Sequence, residues 1–198
     1  MIDGCLLDPE GVHHEFASGM HGRKLDFDKI PDYGSLIDLW IDAVADSIRD
    51  TLPRKKLGKL ALVSVANGTN RIVPRVAENL GNDTHALLTE KSSAKSVRLT
   101  AEAEAIMPRI NDGAFVVIED VATTGLTSAS ASLALRSAGA TDILVMSTWQ
   151  RRERLEELDA IGVPYVSVIN EVLPTLSKEA CNSSGPCSQG WLYIEHGK

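Results

Sequence analysis

The sequence predicts an α/β protein with a mainly parallel sheet flanked by helices. Three observations carry that expectation. From residue 60 onward, short apolar runs alternate with segments patterned as helices. The runs are apolar almost without interruption, as in strands buried on both faces, rather than alternating as in a half-solvated sheet. Glycines stand where the intervening helices should stop, at Gly81, Gly139 and Gly162. A chain of 198 residues suffices for one domain with its own core, without disulfide or metal staples.

The first element is a helix from Ser35 to about Asp50, with Leu36, Leu39, Trp40, Ala43, Val44, Ser47 and Ile48 on one face and Pro53 as its stop. Arg54, Lys55, Lys56 and Lys59 follow as a basic run, read as a solvated linker. Leu60 to Ala66 is a buried strand, and Ile72, Val76 and Leu80 mark the helix after it. Thr84 to Thr89 is the second strand, and Thr89 to Glu104 a long polar segment between strands. The turn at Asn111, Asp112 and Gly113 opens a third strand, Phe115 to Asp120. A helix of small residues runs from Thr127 to Ala138. The fourth strand is Asp142 to Thr148, followed by a helix from Arg151 to Ile161 and a last strand from Pro164 to Ile169. Ligands of such sheets bind beyond the carboxyl ends of the strands, here after Ala66, Thr89, Asp120 and Thr148.

Composition narrows the possible partners. There are 20 Lys and Arg against 27 Asp and Glu, a net charge of −7, which argues against coating a nucleic acid. No apolar run approaches the roughly 20 residues of a membrane helix, and Met1 to Gly4 lacks the layout of a signal peptide. The three cysteines, Cys5, Cys181 and Cys187, give no even disulfide framework and fit a reducing, cytoplasmic compartment. Cys181 and Cys187, with His196 beyond, leave room for a metal clip; two unpaired thiols in a Ser/Gly-rich tail is the simpler reading.

Chemistry concentrates in FVVIEDVATTGLTS, residues 115–128. An apolar strand delivers two adjacent acids, Glu119 and Asp120, and Val121 and Ala122 lead into Thr123, Thr124, Gly125, Leu126, Thr127 and Ser128 at a helix start. Unpaired amides and the positive dipole end suit a phosphate, Gly125 allows close approach, and the hydroxyls donate without adding charge. Carboxylates beside a phosphate repel it unless something neutral or cationic stands between. A ribose diol fits that gap, and magnesium can bridge to more phosphate. The stretch therefore specifies a sugar carrying a phosphate at one end.

These residues resemble the phosphoribosyl pyrophosphate motif of the type I phosphoribosyltransferases: four apolar residues, two acids, then a Thr/Gly loop. The resemblance, spanning about residues 12 to 170, implies a single domain over 1–198, with a core at about 35–170 and a hood from about 1–34 and 171–198. Val65 to Thr69, with Asn67 and Gly68, resembles the family's pyrophosphate loop. Residues 89–104 stand where the family carries a mobile lid, so that Lys91, Lys95 and Arg98 would cover the pyrophosphate. Phe16, Ala17, Ser18 and Gly19 resemble the start of the hood in orotate phosphoribosyltransferases, and Arg151 matches an arginine that meets the orotate carboxylate. The resemblance also implies magnesium held indirectly by Glu119 and Asp120, through ribose or water, and a homodimer in which the lid covers the partner's site. The chain departs from the orotate enzymes at His21 and Asn67, where lysines are usual, and at Glu90, where an arginine is.

The function so implied is transfer of ribose 5-phosphate from phosphoribosyl pyrophosphate to a nitrogen base, orotate first, with a purine or another base as alternative. A phosphoribosyl pyrophosphate-binding regulator without turnover is the second class. A dinucleotide-binding oxidoreductase is disfavoured, since neither G-x-G-x-x-G nor G-x-x-x-x-G-K-[ST] occurs.

Overall fold

A computed structural model of the chain describes residues 10–16, 19–24, 34–65, 69–81, 83–93, 96–110, 112–169 and 171–195. In chain order the elements are β1 (Val12–Glu15), β2 (His21–Gly22), α1 (Gly34–Thr51), α2 (Arg54–Leu57), β3 (Leu60–Ser64), α3 (Val73–Leu80), β4 (Thr84–Leu87), β5 (Thr89–Lys91) and β6 (Val97–Leu99). There follow α4 (Ala101–Ile110), β7 (Ala114–Ala122), α5 (Leu126–Ser137), β8 (Asp142–Gln150), α6 (Glu156–Ala160), β9 (Tyr165–Ser167), α7 (Lys178–Ser184) and β10 (Leu192–Ile194).

The main sheet has five strands in the order β4-β3-β7-β8-β9, and every pairing in it is parallel, as the apolar runs predict. Alternation along each strand feeds a core on either face. Leu60, Leu62, Val116 and Ile118 meet α1 and α3 on one side; Ala61, Val63, Phe115 and Val117 meet α4, α5 and α6 on the other. Strand order reverses between β3 and β7, so the loops leaving these neighbours diverge and open a crevice at their carboxyl ends.

Several elements differ from the expectation. Helix α1 buries Trp40, Ile41, Val44, Ala45 and Ile48 but turns Leu39 out, 63% exposed. The Trp40 indole, donating to Thr148 Oγ1 at 2.7 Å, fixes that rotation. The basic run is partly helical, and two of its lysines pair with strand-end acids: Lys56 with Asp142 and Lys59 with Asp112, both at 2.6 Å. Residues 89–104 are not one polar loop. A β5–β6 hairpin ends at Leu99, and α4 begins at Ala101, because Ala103, Met107 and Ile110 give it a buried helical face. Residues 151–155 are not helical either. β8 runs to Gln150, and the Arg151 amide donates to the Ala122 carbonyl at 2.9 Å, continuing the β7–β8 ladder; only Glu156–Ala160 is helix.

A separate three-stranded sheet, β10-β1-β2, joins the two ends of the chain, with β1 parallel to β10 and antiparallel to β2. Among the described residues, no helix is long and apolar enough to cross a membrane.

Candidate phosphate and ribose site

β7 is buried from Ala114 to Glu119 and carries its two acids to the lip of the crevice. Glu119 is itself only 9% exposed, and its Oε2 accepts a hydrogen bond from Ser128 Oγ at 2.5 Å. Burial pushes its carboxyl up to about 7; the Ser128 hydroxyl opposes that shift and the neighbouring Asp120 adds to it. Asp120 is half-buried, with Oδ1 accepting from the Val121 amide at 2.7 Å. Near neutrality Glu119 is thus only partly ionised, which lessens the pair's repulsion of a phosphate in the same crevice.

The chain then turns through Thr123, Thr124 and Gly125 into α5. Gly125 has φ +78°, and a Cβ on it would lie 3.0 Å from Leu158 Cγ and 3.2 Å from Leu155 Cβ. The turn therefore needs glycine twice over, for its left-handed backbone and for the close approach of α6. Thr124 Oγ1 accepts from the Leu126 amide at 3.3 Å, and the Gly125 carbonyl accepts from Ala129 at 2.7 Å, closing the first turn. Thr123, Thr124, Leu126 and Thr127 are half-buried around this start, as is Val121 before it, and Ala122 is buried. The fully buried Ser128 spends its hydroxyl on Glu119, so it holds the acid in place instead of facing the loop.

Across the crevice, Asn67 and Gly68 lie outside the described residues, as do Ser18 and Lys95. Thr69, which closes the expected pyrophosphate loop, is fully buried. It accepts from the Val65 amide at 2.8 Å and donates to the Ile118 carbonyl at 3.0 Å, tying that loop to β7 one residue before Glu119. The sequence reading assigned Thr69 no separate part; its only signal was a threonine one residue after a loop glycine. Thr89 is similarly bound to the end of β3: its amide donates to Ser64 Oγ and its hydroxyl to the Ser64 carbonyl.

Lys91 and Arg98 are exposed on the β5–β6 hairpin, and Arg98 Nε donates to Glu90 Oε1 at 2.8 Å across it. Gly19 is exposed with φ +75°. Arg151 is buried, 6% exposed, rather than on a helix surface. Its Nη1 donates to the Arg23 carbonyl at 3.1 Å, and its guanidinium lies 4.3 Å over the Phe16 ring.

The five-stranded parallel sheet with helices on both faces has the fold of the type I phosphoribosyltransferases, as comparison with solved structures shows. The chain is similar to the orotate phosphoribosyltransferase of Aeropyrum pernix, at 22% identity and a TM-score of 0.59 over 79% of this chain and 84% of that one. It is about as similar to the adenine phosphoribosyltransferase of Saccharomyces cerevisiae, 15% identical, TM-score 0.58, covering 77% and 95%. A phosphoribosyltransferase from Corynebacterium diphtheriae matches at 18% identity and a TM-score of 0.58 over 83% and 88%. No family model and no curated protein matches the sequence.

Proposed function

We propose that the chain is a phosphoribosyltransferase that exchanges the pyrophosphate of phosphoribosyl pyrophosphate for a nitrogen base, with orotate as the first candidate. The observation that carries this reading is the buried Glu119 beside half-buried Asp120, held by Ser128 at the start of α5. Loop residues 123–125 and the first amides of α5 would hold the 5-phosphate, and the two carboxylates the ribose hydroxyls. In the transfer, the bond from sugar carbon 1 to pyrophosphate oxygen breaks and a bond to a ring nitrogen forms. Positive charge developing on the sugar is then stabilised by Asp120 and by an ionised Glu119.

The carboxylate oxygens at the crevice lip are hard donors that suit magnesium, held through ribose or water. Bound there, magnesium would neutralise charge on the departing pyrophosphate. Lys91, Lys95 and Arg98 would add to that when the hairpin closes, excluding water. Asn67 and Gly68 would present backbone amides to the pyrophosphate. The β10-β1-β2 sheet, with Ser18 and Gly19 between its strands, would form the hood over the base. Arg151 supports orotate, because a planar guanidinium matches a carboxylate with paired hydrogen bonds. The fold likeness itself covers orotate and adenine enzymes equally. A homodimer in a cytoplasmic setting completes the proposal.

Glu90 favours a second reading, a binding regulator without turnover, because it occupies Arg98 and adds negative charge where pyrophosphate must be attracted. One experiment separates them. The protein, magnesium and phosphoribosyl pyrophosphate are incubated with orotate, hypoxanthine, guanine, adenine or uracil, and pyrophosphate is measured. Release with one base establishes the transferase and names the base. Tight binding with no release from any base establishes the regulator.

A further inference from the structure

The two chain ends bring together a set of side chains that the phosphoribosyl site does not use. His13 on β1, His21 on β2, Cys181 in α7 and Cys187 in the turn after it place one ligand atom each within 4.8 Å of all the others. His13 Nε2 lies 3.1 Å from Cys187 Sγ, and His21 Nδ1 lies 3.4 Å from the same sulfur. His13, His21 and Cys181 are buried, and Cys187 is partly so. From these residues we infer that the protein carries a structural zinc site of two cysteine thiolates and two histidine imidazoles, which staples the amino-terminal strands to the carboxyl-terminal segment.

The donor set and its spacing favour zinc. Two sulfurs and two imidazole nitrogens in tetrahedral array are a closed zinc environment, with no position left for substrate. Metal–sulfur bonds of about 2.3 Å and metal–nitrogen bonds of about 2.0–2.1 Å put tetrahedral ligand atoms roughly 3.3–3.8 Å apart. The 3.1 and 3.4 Å contacts already sit near that range, and the 4.8 Å limit leaves only small side-chain shifts to complete it.

The backbone holds each ligand independently of any ion. His13 is paired with Tyr193 in the β1–β10 ladder, and His21 with Glu15 in the β1–β2 ladder. His21 also exchanges both backbone hydrogen bonds with Leu176, at 2.8 Å each, which anchors the segment leading into α7. The Cys187 amide donates to Cys181 Sγ at 3.3 Å, a hydrogen bond of the kind that supports a metal-bound thiolate. Gly185 makes this turn possible, since a Cβ there would fall 2.8 Å from the Cys181 Cα. The Tyr193 ring stacks on His21 at 5.4 Å between centroids and covers the cluster from one side.

The test uses tag-free full-length protein and reads metal directly, so it is independent of whether the chain is a transferase. Elemental analysis after exhaustive dialysis should find about one zinc per chain, falling below about a tenth in Cys187→Ser and in His21→Gln and unchanged in Cys5→Ser. X-ray absorption at the zinc edge should give two sulfur and two nitrogen neighbours. Replacement by cobalt in the unmutated protein should give the visible bands of a tetrahedral thiolate site, which keeps the inference testable should the variants fail to fold. Zinc retained in both variants, a shell of oxygen neighbours, or no uptake of added zinc or cobalt would overturn it. So would a Cys181–Cys187 disulfide, found by mass spectrometry in protein purified without reductant.

Discussion

Glu119 and Asp120 are neighbours in sequence with opposite situations, and their consequences separate accordingly. Asp120 is half-buried at the crevice lip, and its Oδ1 accepts from the Val121 amide, a contact that asparagine would retain. Asp120→Asn should therefore leave the urea midpoint unchanged, yet lower kcat/KM by about 10²- to 10³-fold, the scale of losing one electrostatic contact to the transition state. Unaltered turnover would remove Asp120 from the chemistry. Glu119, by contrast, has its carboxyl pushed up to about 7 by burial, from an ordinary value of 4.5. Between these values the folded chain binds more protons than the unfolded one, so stability falls as pH rises from about 4.5 to about 7 and is level above. The loss is on the order of 3 kcal/mol. Glu119→Gln should abolish that part of the slope in denaturation curves taken from pH 5 to 8; an identical slope would show that Glu119 is not the group concerned. The αL position of Gly125 sets a third expectation. Gly125→Ala should cost about 2 to 4 kcal/mol, backbone strain and overpacking combined. Gly162→Ala, with φ +63° and open space around it, should cost only about 1 to 2 kcal/mol. Equal losses in urea titrations would show that the Leu155 and Leu158 contacts add nothing.

At the scale of elements, legibility follows the length of each buried stripe. β3, β7 and β8 lie within a few residues of their expected bounds because an unbroken apolar run has no other place than a covered sheet. Helix α4 was not legible, since Glu102, Glu104 and Pro108 break its apolar pattern and its core face is Ala103, Met107 and Ile110 with half-buried Ile106 beside them. The three-residue strands of the β5–β6 hairpin are too short for a period to register. At the candidate site the acid pair and Gly125 could be read from local sequence, but Thr69 reaching Ile118 could not, nor could His13 and His21 meeting the cysteines, because those contacts exist only after folding. The hairpin also has a rigid root. Thr89 is bonded to Ser64, and the Val97 amide donates to Ser130 Oγ on α5 at 3.1 Å. Beyond these contacts lies the exposed Glu90–Arg98 pair, which as a surface salt bridge is worth about 1 kcal/mol or less. Glu90→Gln should leave thermal stability within about 0.5 kcal/mol. By releasing Arg98 and removing a negative charge, it should also lower KM for phosphoribosyl pyrophosphate several-fold. An unchanged or raised KM would mean that Arg98 does not reach the pyrophosphate.

Across the whole molecule, Arg151 joins two parts that the sequence separates widely. Its amide extends the β7–β8 ladder through the Ala122 carbonyl, while its guanidinium crosses to the amino-terminal segment, stacking on Phe16 and donating to the Arg23 carbonyl. Phe16 is in turn packed against β2, since a Cβ on Gly22 would come within 3.1 Å of its ring. The position at which Arg151 presents its charge is thus set jointly by the main sheet and by the β10-β1-β2 sheet. An anionic carboxylate arriving beside this guanidinium would gain a charge-assisted contact. Arg151→Lys keeps the charge but loses the planar fork and the stacking. It should raise KM for orotate by about tenfold or more while leaving KM for phosphoribosyl pyrophosphate within about twofold, because the phosphate and ribose contacts proposed above lie on β7 and α5. A purely structural arginine would instead disturb both constants together, and Arg151→Lys would leave the preference between orotate and adenine where it was. Measuring both constants with both bases decides the matter, since only a base-contacting Arg151 separates the two substrates and shifts the preference away from the carboxylated one.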